Sequence, residues 1–483
     1  MSDRNQIFSK ALPAGRQELI LHPLNIILLF IINTSSQKIK AGLSTGFLDP
    51  AITLLIIFAL SFAVFFIIRR FITERIKAAL LLSYILLITL FFRDIVELTI
   101  YSGISEMLNF IGELLIVILF GIIVSVVLVK WLRRTKRSLS GLNSYLNLLT
   151  VIFLTIEIIG CSFSKTSKIE LKEKVELKMV PGNTANKPDV YFILLDGYTG
   201  FSGLQKLWKF DNSELKKFLS ENNFFFAQNG RSVYNVTNYS IASTFNMTEL
   251  VFDTTDLYDK SSFLILANFI KQNPVVKFFY KSGYDFINFS FWEMLDKNKF
   301  YQDIYFLRRG NIYQARTLYG HLYEIWNERF ADMAEINYEI FNKLKNSQNT
   351  SDKKPKFIYA HIMMPHPPYY FDAEGNRMDL NYFNDGKNKH KYLEQLKYTN
   401  KLLMQTIRGI FNSAKQPPII IVQSDHGFRS YGGNDKKEIE CSVLNCFYFP
   451  DKDYSLLDDS LKTINTFRIV FNKYFNQNLE MIN

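Results

Sequence analysis

The sequence predicts an α/β domain with a mainly parallel central sheet, carried behind an amino-terminal region of five membrane-spanning helices. Three observations predict it. Long apolar runs crowd residues 1–163 and then stop. Three continuous apolar strands follow, each running into polar, chemistry-bearing residues. Helical patterns lie between those strands, and strands alternating with helices imply a parallel sheet covered on both faces.

The apolar runs fall at roughly 18–34, 50–68, 78–92, 114–132 and 145–163. Each is near the ~20 apolar residues that cross a bilayer. Lys and Arg in alternate connecting segments number twelve against three. The richer set includes the amino terminus, so the positive-inside rule places that terminus in the cytoplasm. Five crossings then put the large carboxyl-terminal domain on the outside. The first run reads as an uncleaved anchor. The net charge of +11 is divided almost evenly between the apolar region and the remainder. No basic stripe of the kind that binds nucleic acid stands out, so nucleic acid is excluded as a partner.

Residues 164–187 are polar and Lys-rich and read as a linker, leaving 188–483 as the outer domain. Its first strand, Asp189-Val-Tyr-Phe-Ile-Leu-Leu, ends in Asp196-Gly197. Helices are expected at 211–220, 262–273 and 320–346, with a polar stretch at 228–240. A strand at Phe357-Ile-Tyr-Ala-His361-Ile leads into Met-Met-Pro-His366-Pro-Pro. A helix is expected over 391–412, on an apolar face of Tyr392, Leu393, Leu396, Leu402, Leu403 and Ile407. The strand Ile419-Ile-Ile-Val-Gln then runs into Ser424-Asp425-His426-Gly427. Residues 442–449 read as a strand and 461–475 as a helix. Cys441 and Cys446 face a compartment where a disulfide is permitted, not required.

Carboxyl ends of parallel strands lie on one rim, where ligands of open α/β sheets sit. Asp196, Asp425 and His426 bring two carboxylates and an imidazole to that rim. Such a set suits a divalent cation such as Mn²⁺ or Zn²⁺. The hydroxyls of Ser232, Thr237, Ser240, Ser243 and Thr244 are the candidates for a nucleophile beside it. Thr199, three residues after Asp196, is a rival. Against these readings, each motif alone is also an ordinary strand-end turn or a helix cap.

Taken in order, Asp196-Gly, Thr237-Asn-Tyr-Ser240, His361-Ile-Met-Met-Pro-His366-Pro-Pro and Ser-Asp425-His426-Gly resemble the alkaline phosphatase and sulfatase superfamily. The membrane-anchored branch of lipoteichoic acid synthases and phosphoethanolamine transferases is the nearest likeness. The resemblance covers residues 187–450. It implies an alkaline-phosphatase/sulfatase-like α/β sandwich with one metal ion held by Asp196, Thr237, Asp425 and His426. It implies Thr237 as nucleophile and His366 as the group that binds the transferred moiety and protonates the leaving oxygen. His361, Ser240 and Arg429 are expected to bind substrate. The implied reaction moves a phospholipid head-group phosphate, of phosphoglycerol or phosphoethanolamine type, onto a cell-envelope glycan or glycolipid. A bacterial-type cytoplasmic (inner) membrane is the implied location. The alternatives are a phosphodiester, phosphate or sulfate ester hydrolase and a catalytically silent scaffold for envelope assembly. Sulfatases carry Cys or Ser in a Cys/Ser-x-Pro-x-Arg setting. Thr237-Asn-Tyr-Ser240-Ile lacks both the residue and the Pro and Arg, which sets sulfate esters aside.

Overall fold

The structure is a computed structural model, and it describes residues 18–40, 48–101, 110–163, 169–178, 187–252, 260–295, 313, 316–322, 332–347, 354–379, 387–430, 433 and 435–482. The chain divides into two compact units. One comprises residues 1–40, 44–165 and 311–323; the other comprises 41–43, 166–310 and 324–483.

The first unit is helical: α1 (His22–Lys40), α2 (Leu48–Phe71), α3 (Arg75–Leu90), α4 (Phe92–Tyr101), α5 (Phe110–Arg134) and α6 (Ser140–Phe163). The five expected apolar runs fall on α1, α2, α3, α5 and α6 in turn. By length and composition, two described helices can cross a membrane, Leu48–Phe71 and Ser140–Cys161. A third is added if α3 and the start of α4, bent by 69°, count as one broken span. The first two turn apolar side chains outward, where a water-soluble bundle would carry polar ones. α2 exposes Leu55, Phe62 and Ile67, and α6 exposes Leu148, Ile156 and Ile159. Two buried polar pairs join helices: Asn25 Nδ2 donates to Thr150 Oγ1 at 3.0 Å, and His22 Nδ1 pairs with Ser83 Oγ at 2.6 Å. Hydrocarbon offers backbone and side-chain polar groups nothing, so they must pair inside the protein.

The second unit is the α/β domain. Its elements in order are β1 (Ile169–Leu171), β2 (Val190–Leu195), α7 (Phe201–Trp208), α8 (Ser213–Glu221), β3 (Phe225–Phe226), α9 (Thr237–Asn246), β4 (Leu250–Phe252), α10 (Lys260–Lys271), α11 (Pro274–Lys281), β5 (Asp285–Phe289), α12 (Met333–Lys345), β6 (Lys356–Ile362), α13 (Lys389–Ser413), β7 (Ile419–Gln423), α14 (Lys436–Glu440), β8 (Asn445–Tyr448) and α15 (Thr466–Tyr474). Six strands form the main sheet in the order β3-β8-β7-β2-β6-β5. The pairs β7–β2, β2–β6 and β6–β5 are parallel, and β8 and β3 close one edge antiparallel. β2 shows why its sequence is apolar without alternation. Val190, Phe192 and Leu194 enter one core while Tyr191, Ile193 and Leu195 enter the other. A strand covered on both faces has no polar side to show.

Four local readings change. Within the stretch read as linker, Ile169–Leu171 pairs antiparallel with Leu250–Phe252, and Ile169 is buried. The interleaved lysines hid that alternation. The polar stretch at 228–240 ends in helix, because α9 begins at Thr237. The edge strand β5 was not expected at all. Of the helix expected at 320–346, 323–331 lie outside the described residues, 333–345 form α12, and 316–322 belong to the helical unit. All three cysteines are free.

Candidate metal centre

Three neighbouring parallel strands deliver the site. β2 ends directly into Asp196, β7 ends two residues before Asp425 and His426, and β6 carries His361 opposite Leu194 of β2. Backbone bonds lock the strand ends together. Asp196 N–H donates to Ile362 O at 2.9 Å, and His366 N–H donates to Asp196 O at 3.0 Å. Gly197 N–H donates to Asp425 Oδ1 at 3.1 Å. Gly197 has φ +72°, a left-handed turn that glycine adopts without strain. Gly427 serves close approach: a Cβ there would lie 2.3 Å from Ile439 O and 2.6 Å from Ser442 O.

The side chains divide into groups already satisfied and groups left waiting. His361 is fully buried, with Nε2 3.0 Å from Asp196 Oδ2. A carboxylate oxygen only accepts, so this nitrogen carries the proton. Asp425 Oδ1 is engaged by Gly197. The remaining oxygens, Asp196 Oδ1 and Asp425 Oδ2, are buried without a hydrogen-bond partner, and so is His426 Nε2. His426 Nε2 lies 3.4 Å from Asp196 Oδ1 and 3.5 Å from Asp425 Oδ2. His426 Nδ1 is 2.7 Å from Gly427 O, so Nδ1 donates there and Nε2 is the atom that faces the two carboxylates. Nδ1 donates likewise at His366, where it faces Pro367 O at 2.6 Å. Its Nε2 points to Arg429 Nη2 at 2.9 Å and stands 4.0 Å from Asp196 Oδ1.

Acceptors therefore converge on one point. Ligand atoms of Asp196, His366 and His426 all lie within 4.8 Å of one another. Buried acceptors facing acceptors repel unless positive charge sits between them. Burial alone would raise Asp196, but His366, His361 and His426 outweigh it and hold the carboxyl well below its ordinary range. Burial alone would lower His426, yet Asp425 and Asp196 push it up. His366 is lowered, by burial first and by Arg429, against the pull of Asp196. That charge can come from a proton on His426 or from a bound cation, and two carboxylates with imidazole nitrogens fit a divalent metal. Asp196, Asp425 and His426, expected as ligands from the sequence, are brought together. His366, expected only to handle the transferred group, joins them.

The hydroxyl candidates separate as clearly. Thr199 is fully buried; its Oγ1 accepts from Phe428 N–H at 2.8 Å and from Tyr392 OH at 3.0 Å. It is a structural fastener. Ser240 Oγ donates to Asp425 O at 2.6 Å, contacts Ser232 Oγ, and is buried. It braces the metal loop. Thr237 precedes Ser240 by three residues on α9, so the two share a helix face. It is only half-buried and stands in the first turn, where helix N–H groups favour negative charge. Asn235, just upstream, donates through Nδ2 to Glu440 Oε2 at 2.7 Å and fixes that loop. His361 and Ser240, expected to touch substrate, are both buried and turned toward Asp196 and Asp425.

The sulfatase family model matches residues 209–445, a span that includes Thr237, His361, His366, Asp425 and His426. No curated protein matches the sequence. Among solved structures, the chain is similar to the periplasmic domain of a phosphoethanolamine transferase from Campylobacter jejuni (16% identity, 62% of this chain and 92% of that one, TM-score 0.40). It is also similar to a lipoteichoic acid synthase from Listeria monocytogenes (14% identity, 62% and 75%, TM-score 0.39). The integral membrane lipooligosaccharide phosphoethanolamine transferase A from Neisseria meningitidis matches along more of the chain (13% identity, 93% and 95%, TM-score 0.40).

Proposed function

We propose that this chain, whose residues 209–445 match the sulfatase family model, is a membrane-anchored, metal-dependent phosphotransferase. Its donor is a phospholipid of the outer leaflet, of phosphoglycerol or phosphoethanolamine type, and its acceptor is a hydroxyl on an envelope glycan or glycolipid. The amino terminus is cytoplasmic, five helices cross the membrane, and the α/β domain lies outside. The observation that carries the reading is the trio of buried polar atoms without partners, Asp196 Oδ1, Asp425 Oδ2 and His426 Nε2, at the carboxyl ends of two neighbouring strands.

Asp196, Asp425 and His426, with Thr237, would hold one Mn²⁺ or Zn²⁺. The bound cation supplies Lewis-acid charge that lowers the pKa of a neighbouring hydroxyl and neutralises phosphoryl oxygens. Thr237 Oγ attacks the donor phosphorus and forms a new O–P bond. The bond from phosphorus to the diacylglycerol oxygen breaks. His366, neutral with its lone pair on Nε2, takes the Thr237 proton and returns it to that leaving oxygen. Arg429 keeps His366 neutral and offers its guanidinium to the anionic head group. The acceptor hydroxyl then attacks the phosphorylated Thr237 in the reverse sense. His361 holds Asp196 and Ser240 holds the Asp425 loop.

The test is to incubate the full-length protein with Mn²⁺ or Zn²⁺ and labelled phospholipid, then to read the adduct by peptide mass. A glycerophosphate or phosphoethanolamine mass on Thr237, absent from Thr237→Ala, is the expected result. Turnover surviving Thr237→Ala by more than about a thousandth of wild type sinks the covalent route. Label released only to water identifies a hydrolase.

A further inference from the structure

His366 stands on a stretch of chain that cannot brace itself. Met363 to Phe371 leaves the end of β6 and holds Pro365, Pro367 and Pro368. Proline has no N–H, so a loop with three of them must pair its remaining groups with neighbouring elements. Two buried carboxamides supply the partners. Asn337 of α12 takes Met363 N–H on Oδ1 at 2.8 Å and turns Nδ2 to Met363 O at 3.4 Å. Gln395 of α13 reaches further along the loop. Its Oε1 accepts from Tyr370 N–H at 2.6 Å and from Phe371 N–H at 3.3 Å, and its Nε2 donates to His366 O at 3.0 Å. These bonds assign the oxygen and the nitrogen of the amide. Gln395 is fully buried on a helix face shared with Leu396, Leu402 and Leu403, where an amide is costly unless bonded.

The bonds bear on the reacting end. His366 N–H donates to Asp196 O, and His366 Nδ1 faces Pro367 O. The imidazole is therefore oriented by the backbone of its own loop, and Gln395 Nε2 fixes that backbone at His366 itself. One turn earlier on α13, Tyr392 OH lies 3.0 Å from Gly197 O. Residues three apart share a helix face. One face of α13 thus holds both the loop of His366 and the turn of Asp196, whose Oδ1 stands 4.0 Å from His366 Nε2.

We infer that Gln395 is a positioning residue that aims His366 at the leaving oxygen of the donor. The tie rests on the hydrogen bonds alone. The aim rests on the phosphotransferase reading, in which His366 returns a proton to that oxygen.

The test uses full-length protein loaded with Mn²⁺ and two variants. Gln395→Met keeps the length of the side chain and removes all three bonds. Gln395→Glu keeps the acceptor for Tyr370 and Phe371 and, as a carboxylate, loses the donor to His366 O. Hydrogen exchange in peptides covering 363–371 reads the tie without activity. It should rise about tenfold in Gln395→Met and about threefold in Gln395→Glu. The aim is read by kcat/KM on two soluble diesters. The p-nitrophenolate of bis-p-nitrophenyl phosphate leaves without a proton, whereas the more basic phenolate of diphenyl phosphate gains from one. Both variants should lose about tenfold on the first and about a hundredfold on the second. A residue that only stabilised the fold would lower both alike. Unchanged exchange in both variants overturns the tie. Raised exchange with equal losses on the two diesters overturns the aim. If Gln395→Met does not fold, Gln395→Glu decides by the same two readouts. Wild-type turnover of neither diester removes the phosphotransferase reading and the aim with it, while the exchange rates still decide the tie.

Discussion

The helical unit and the α/β domain both bury polar side chains, but they do so to opposite ends. In the helices two clusters close on themselves: Arg316 with Asp94, Asn33 and Thr34, and Asn25 with Thr150. At the sheet rim, three buried acceptors face one another with no donor between them. A self-satisfied group is structural. A set of acceptors that needs charge from elsewhere is a binding site.

The largest effect follows from that contrast. Asp425→Asn removes one of two facing carboxylates and should abolish tight metal binding and lower turnover by about a thousandfold or more. Metal content by mass spectrometry and initial rates check it. Chelation of the wild-type protein should lower the melting temperature of the α/β domain, since a metal at a hundredfold excess over its Kd stabilises by about 3 kcal/mol. Affinity should also fall on acidification, as protons compete for His426 Nε2, an imidazole that Asp425 and Asp196 push up against its burial. Melting indifferent to chelator at neutral pH breaks the contrast, because the rim would then be satisfied without a cation.

An intermediate effect is expected at His361, which belongs to both categories. It is fully satisfied at Nε2, yet the group it satisfies is a metal ligand. His361→Phe preserves an aromatic ring against Phe291 but removes the donor to Asp196 Oδ2. Metal affinity should weaken about 10- to 100-fold. His361→Gln, which can still donate, should recover part of that loss. Equal defects in the two variants would show that ring packing, not the hydrogen bond, is what His361 provides.

The sequence made one side of this contrast readable and left the other dark. Asp425 and His426 were visible because an apolar run ends abruptly in them, and a strand covered on both faces has that signature. Asp196 was visible for the same reason. Thr237 reads as part of the polar stretch at 228–240 because its helix starts behind Val236, with no Ser, Asp or Asn at the cap to announce it. The buried turn of His361 toward Asp196 depends on the β2–β6 register, a tertiary fact. The anchoring of Tyr313 and Arg316 in the helices joins residues more than 200 positions apart, as in the Arg316–Asp94 pair, and no local pattern encodes it.

The smallest effect lies inside the helices. Thr150 Oγ1 accepts from Asn25 Nδ2 and also donates to Leu146 O at 2.8 Å. Asn25→Leu deletes the donor and leaves Thr150 bonded to its own helix. Thr150→Val deletes the acceptor and leaves the buried Asn25 amide short of a partner. Leaving a buried polar group unpaired costs more than removing it, so Thr150→Val should be the more damaging of the two. Both costs should stay small, about 0.6 kcal/mol on average for interhelical hydrogen bonds in membranes. Neither should change metal content or turnover. Denaturant unfolding of the full-length protein in mixed micelles measures the ranking. If Asn25→Leu proves worse, or if either variant loses metal, then the helical polar pairs are not self-contained and the division between the two regions fails.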